Sequence, residues 1–248
     1  MRILFVNYIN KHSVELKKYL VQNRIFITSM LIKQPSGIAS LITGKSKDMM
    51  FVEALSRLRE IKKKYDMPVF YLDNDCIIMN PVDDLLERDF DVAVIYRYKW
   101  LMDLGRNDCL GGFLFFKNQN KDKEDKFLKK LIKETKAFYK KELDEGIDPW
   151  YYDQYAINNL IGPPLVERNK LNYDLAFYYE PVLKEVDGVK VLYLSANEWA
   201  CPMTINIPEK VRIMHYNHAI WPSKYKEDAD GKPFVRGKIQ PAQAVSTV

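Results

Sequence analysis

From residue 3 onward, short runs rich in β-branched and aromatic residues alternate with stretches whose apolar residues recur at helical spacing. The strand-like runs are Ile3 to Tyr8, Arg24 to Ile32, Val69 to Leu72, Asp91 to Tyr96, Gly111 to Phe116, Val189 to Leu194 and Val211 to Met214. Between them, Ser13 opens a short helix through about Asn23. Asp48 caps a second, which carries Phe51, Val52, Leu55, Leu58 and Ile61 on one side and ends on the lysines 62–64. Cations suit the carbonyl end of a helix. A long helix is expected over 121–142 and another from Asp153 to Leu160. Strands alternating with helices in this way predict an α/β fold, with a Rossmann-like mixed, mostly parallel central sheet flanked by helices. Neither a repeat nor a linker-like stretch interrupts the pattern, so residues 1–236 read as a single domain. Residues 237–248 have little apolar periodicity and read as a flexible tail.

Composition removes several other classes. A chain of 248 residues with 47% hydrophobic and 13% aromatic residues is too apolar to be disordered. It is long enough to bury a core without disulfides. Its three cysteines, Cys76, Cys109 and Cys201, lie far apart, which fits a reducing compartment. The apolar run Ile3 to Val6 is too short for a signal peptide, and no stretch approaches the roughly 18 apolar residues of a membrane span. A cytoplasmic protein is the expectation.

The formal charge is +5. Nine lysines and five acidic residues between Lys121 and Glu142 account for +4 of it. Within that segment Phe127, Leu128, Leu131, Ile132, Phe138 and Tyr139 recur at helical spacing, so the basic residues form the solvated side of one amphipathic helix. A weak contact between this helix and a membrane surface is the secondary expectation. No nucleic-acid partner is expected.

The chemistry concentrates elsewhere. Three Asp-x-Asp pairs occur, Asp73/Asp75, Asp89/Asp91 and Asp228/Asp230, and only the first follows a fully apolar strand, Val69-Phe70-Tyr71-Leu72. In open α/β sheets the crevice beyond the strand carboxyl ends is where ligands bind. Two carboxylates one residue apart repel unless a cation lies between them, and oxygen ligands suit Mg²⁺ or Mn²⁺. Gly111-Gly112 opens an aromatic strand where a ligand or another backbone can approach closely. Asp153 and Gln154 stand at a helix start. Met214-His215-Tyr216-Asn217-His218 holds two of the three histidines, and imidazole beside carboxylates favours manganese.

In this order the segments resemble a GT-A glycosyltransferase, the nucleotide-sugar-dependent type. They are most similar to the retaining glycogenin-like families, whose pieces run D-x-D, N-x-G, D-Q-x-x-x-N and H-F-x-G-x-x-K-P-W. Asp73-Asn74-Asp75, Asp108-Cys109-Leu110-Gly111-Gly112, Asp153-Gln154-Tyr155-Ala156-Ile157-Asn158 and His215-Tyr216 take the matching places, across roughly Met1 to Pro222. The resemblance implies transfer of a hexose from a nucleotide diphosphate sugar, UDP-glucose or UDP-galactose by default, to an acceptor glycan, lipid or protein. It implies Mn²⁺, or alternatively Mg²⁺, on Asp73, Asp75 and His215. Asp153 would bind donor-sugar hydroxyls, and Gln154 would lie beneath the anomeric carbon. The Gly111-Gly112 backbone would pass close to the sugar. Tyr8 would stack on the nucleobase.

The chain departs from that pattern at three places, the first being the N-x-G asparagine, which is missing because Asp108 and Cys109 precede the glycines. His218 stands where the family has Gly, so either His215 or His218 completes the metal set. Trp221 replaces the lysine before Pro222, which leaves Lys224 to meet the diphosphate. Two other readings stand beside this one. A haloacid-dehalogenase-type phosphatase would use the first Asp of the D-x-D as nucleophile and the second as general acid. A nucleic-acid-binding module would use the basic helix and the aromatic residues.

Overall fold

The computed structural model describes residues 3–9, 30–33, 50–73, 76–78, 80–97, 108–146, 151–164, 180–202 and 211–215. Asp75, His218, Lys224, the helix expected over 13–23, the Asp48 cap and the tail 237–248 lie outside them.

Among the described residues the strands are β1 (Leu4–Ile9), β2 (Met30–Lys33), β3 (Val69–Leu72), β4 (Cys76–Ile78), β5 (Val92–Arg97), β6 (Asp108–Phe116), β7 (Val182–Val186), β8 (Val189–Ser195), β9 (Cys201–Pro202) and β10 (Ile213–His215). The helices are α1 (Met50–Lys64), α2 (Lys121–Asp144), α3 (Tyr152–Ile161) and the single turn α4 (Ala196–Trp199), with a 3₁₀ turn at Asp83–Glu87. A seven-stranded sheet has the order β2-β1-β3-β6-β5-β8-β7, and a three-stranded sheet has the order β4-β10-β9.

The large sheet is evenly mixed, which corrects the expectation of a mostly parallel one. Strand β1 runs parallel to β2 and β3, and β5 runs parallel to β8. Strand β6 is antiparallel to both β3 and β5, and β7 is antiparallel to β8. Connection length is the physical reason: the residues 98–107 between β5 and β6 are too few for the crossover that a parallel neighbour requires. Strands β7 and β8 are joined by Asp187 (φ 52°) and Gly188 (φ 79°). Both central residues are left-handed, as a two-residue hairpin loop demands.

Side chains of the central strands alternate between two buried layers. Val69 and Tyr71 of β3, Val92 and Val94 of β5, and Leu114 and Phe116 of β6 pack on one face. There they meet Leu55 and Leu58 of α1, Leu128 and Leu131 of α2, and Ala156 and Ile157 of α3. Phe70, Leu72, Phe113, Phe115 and Ile95 point the other way, onto Leu85 of the 3₁₀ turn, Trp199 of α4 and Ile213 of β10. Burying a large apolar side chain is worth about 1.5–3 kcal/mol, so both layers contribute heavily to folding. The sheet is thus sandwiched between a helical layer and a smaller layer built from the 3₁₀ turn, α4 and the small sheet. No helix among the described residues is long and apolar enough to cross a membrane.

Candidate functional site

The site starts where β3 ends. Leu72 pairs with Phe113, and one residue further along the same register Asp73 lies opposite Gly112. A methyl group added to Gly112 would overlap the Asp73 carboxyl, and one added to Gly111 would overlap the carboxyl of Asp153. The two glycines are therefore the clearance that lets two acidic side chains lie on the backbone of β6. A local irregularity helps. Between the pairs Val94–Leu114 and Tyr96–Cys109, β5 advances two residues while β6 advances five. Bulges of this kind redirect a strand and are common beside active sites.

Asp153 occupies the first turn of α3 and is buried. The preceding residue anchors that turn: the Tyr152 hydroxyl accepts a hydrogen bond from the Phe51 backbone N–H at 3.2 Å. The Tyr152 ring also meets Phe51 and Tyr139 edge-on, at centroid distances of 5.3 and 5.2 Å. Burial pushes the Asp153 carboxyl up to about 8, with the charge of Asp73 acting in the same direction and that of Glu142 adding to it. Backbone hydrogen bonds from Gln154 and from Asp153 itself oppose the shift. Helix N-termini favour anions, yet here desolvation outweighs that preference. Asp73 is about one-third exposed, so the pair has one wet and one dry member.

His215 reaches the same place from the small sheet. It lies in register with Cys76 of β4, just beyond the D-x-D segment, and its Nε2 is 3.8 Å from Asp73 Oδ2. Its ring stands edge-on to Phe113 at 5.2 Å. Arg212 holds this strand in position. Its guanidinium donates to both carboxylate oxygens of Asp84 (3.1 and 2.6 Å), to Glu198 at 3.2 Å and to the Pro81 carbonyl, and it lies over the Trp199 ring.

Gln154 follows Asp153 on α3 and accepts a hydrogen bond from Arg97 Nη2 at 3.3 Å. A guanidinium only donates, so the amide oxygen of Gln154 is the atom that faces it. Asn158, one turn further on, accepts from the Cys109 backbone N–H at 3.1 Å and ties α3 to β6 just before the glycines. The structure therefore brings together Asp73, Gly111, Gly112, Asp153, Gln154 and His215. Tyr8 lies in β1 in register with Ile32, two strands from β6. Asp75 and Lys224 are outside the described residues.

Sequence reading missed Arg97 and Glu142. Arg97 was within reach, because β3 and β5 are both antiparallel to β6 and so end at the same edge of the sheet. An arginine closing an apolar strand at the ligand-binding edge is a signal. Glu142 had none, since its influence on Asp153 depends on how α2 packs against α3.

Among the described residues no three His, Cys, Asp or Glu side chains are grouped to hold a metal. The Asp73 oxygen faces the His215 nitrogen at 3.8 Å, and a carboxylate oxygen and an imidazole nitrogen are both atoms that divalent cations accept as ligands. Two of the three residues expected to bind the ion stand together.

No protein-family model matches the chain, and no curated protein sequence matches it. Among solved structures it is similar to A197 from STIV, with 21% identity over 50% of this chain and 68% of that one, and a TM-score of 0.31. It is also similar to a glycosyltransferase involved in the glycosylation of the major capsid of PBCV-1, with 12% identity over 60% and 78% of the two chains and a TM-score of 0.39. A third is the glycosyltransferase GlyE of Streptococcus pneumoniae TIGR4, with 18% identity over 63% of this chain, 42% of GlyE and a TM-score of 0.38. These scores mark partial overlap, so the residues of the site carry the functional conclusion.

Proposed function

We propose that the chain is a metal-dependent glycosyltransferase of the GT-A type. It moves a hexose from a nucleotide diphosphate sugar, with UDP-glucose or UDP-galactose the first donors to test, to a glycan, lipid or protein acceptor, with retention. The observation that carries this reading is that Asp73 and Asp153 lie against the backbone of Gly112 and Gly111 beyond the carboxyl end of β3, with the His215 imidazole 3.8 Å from Asp73. Three segments distant in sequence meet there with the residue types and in the order that the motif resemblance implies.

Each residue has a role that follows from its chemistry. Asp73, Asp75 and His215 would hold the Mn²⁺, Mg²⁺ being the alternative, and the chemistry supplied by the ion is Lewis-acid stabilisation of the departing diphosphate. Asp153, buried and carrying its proton near neutral pH, donates that hydrogen to a sugar hydroxyl, or accepts one when ionised. Gln154 lies beneath the anomeric carbon with its carboxamide oriented by Arg97. The absence of side chains at Gly111 and Gly112 lets the sugar approach the strand. Tyr8 would stack on the base, and Lys224 would meet the diphosphate.

A thermal-shift screen of nucleoside diphosphates with Mn²⁺ tests the reading. Selective stabilisation by one base, lost in excess chelator, supports it. Stabilisation unchanged by chelator would remove the metal, and hydrolysis of simple phosphomonoesters with none of nucleotide sugars would replace the transferase by a phosphatase.

A further inference from the structure

Helix α2 displays a row of cations that the site does not use. Lys126, Lys129, Lys133, Lys136 and Lys140 are all exposed and follow one another at intervals of three and four residues. At 1.5 Å per residue this spacing sets them along one line about 21 Å long. Lys129 pairs with Asp125 at 3.1 Å, while Lys126, Lys133, Lys136 and Lys140 form no ion pair among the described residues. The next place on the same line is Leu143, 48% exposed, and the neighbouring start of α3 exposes Tyr151 and Tyr155. Asp122 and Asp144 sit at the two ends of the row, and Asp125 is the acidic partner of Lys129 within it. The opposite side of α2 is committed to the core through Phe127, Leu128 and Leu131, so this face is fixed outward.

We infer that this face docks on an anionic lipid bilayer. A straight row of lysines on a rigid helix matches a plane of headgroup charge. Lysine ammonium groups act as point charges, suited to diffuse surface attraction rather than to bidentate recognition of single phosphates. An exposed Leu in line with cations is the kind of residue that settles into the interfacial layer of a membrane.

The test is co-sedimentation of the full chain with vesicles of phosphatidylcholine alone and with 30% phosphatidylglycerol. Binding to the anionic vesicles only, reversed at high salt, is the expected result. The triple variant Lys126→Gln, Lys133→Gln, Lys140→Gln should bind roughly 10- to 100-fold more weakly. Leu143→Ser should weaken binding a few-fold at unchanged charge. A circular dichroism spectrum and a melting temperature like the parent's establish that the triple variant is folded. Equal binding to both vesicle types, no loss in a folded triple variant, or retention on single-stranded RNA without retention on anionic vesicles would each overturn the proposal.

Discussion

The Asp73 carboxylate lies 3.8 Å from the His215 imidazole, although Asp73 directly follows a strand of the seven-stranded sheet and His215 ends a strand of the three-stranded one. Their approach depends on two separate devices. Gly112 clears the space beneath Asp73, and Arg212 fastens β10 to the 3₁₀ turn and α4. Loss of either device should displace one partner while leaving the core layers in place.

Gly112→Ala is the most direct check on this arrangement. The added methyl competes with the Asp73 carboxyl for the same volume, so the carboxyl has to swing away or the strand has to shift. Stability should fall by about 1–3 kcal/mol, as for other overpacked sites. Mn²⁺-dependent binding of a nucleoside diphosphate should be lost. Calorimetric titration of the folded variant measures this, and parent-like affinity would show that Asp73 does not need its present position.

Asp153→Asn should stabilise the protein while inactivating it. The folded carboxyl titrates at about 8, above the ordinary range near 4. The stability associated with its protonated form is therefore fully present below about pH 4 and is lost as pH rises towards 8. An uncharged amide of the same shape escapes that loss, so its melting temperature should exceed the parent's at pH 8 and match it more closely at pH 5. Sugar transfer should fall by about two orders of magnitude if this carboxyl contacts the donor.

Arg97→Ala removes the guanidinium that donates to the Gln154 side-chain oxygen at 3.3 Å. The expected signature is a fall in kcat of about 10- to 100-fold with little change in KM, because a mis-set carboxamide matters most at the reacting carbon. A lower melting temperature with unchanged kcat would make Arg97 a structural residue only.

Asp125 governs an acid-side effect away from the site. Hydrogen bonds from Arg59, at 2.5 and 3.0 Å, are the main reason its carboxyl is held down at about 2, and Lys129 adds to them. The stability this contributes is present above about pH 4 and is lost as pH falls towards 2. Asp125→Asn should cost about 1 kcal/mol at neutral pH after allowance for solvent screening, and nothing near pH 2. Denaturant melts at the two pH values check it.

The buried pair Lys62 and Glu124 joins α1 to α2, with Asn118 accepting a second hydrogen bond from Lys62 at 2.9 Å. Burial drives both groups towards their neutral forms, the lysine downward and the glutamate upward. Lys62→Met alone should cost about 3–5 kcal/mol, because Glu124 then stays buried without its cation. Lys62→Met with Glu124→Leu should recover most of that loss in chemical denaturation.

The elements with strong local periodicity were the legible ones. The lysines 62–64 marked the end of α1, and the 3–4 spacing of Phe127, Leu128 and Leu131 gave α2 nearly its full length. Strand β7 was missed although Val186-Asp187-Gly188-Val189 is a hairpin signal, because its alternating half-buried pattern is polar enough to resemble a loop. The short strands β4 and β9 have no periodicity of their own and exist through pairing with β10.

For the site, residue chemistry and order along the chain were enough to single out Asp73, the Gly111-Gly112 pair, Asp153, Gln154 and His215. A strand's carboxyl end, a missing side chain and a helix start are local properties that a sequence states directly. Tertiary structure alone decided which carboxyl is buried and which is wet, that β6 runs against both its neighbours, and that Arg97 and Glu142 belong to the neighbourhood. Desolvation and charge coupling depend on the distances between segments far apart in the chain, and those distances come into being only when the layers pack.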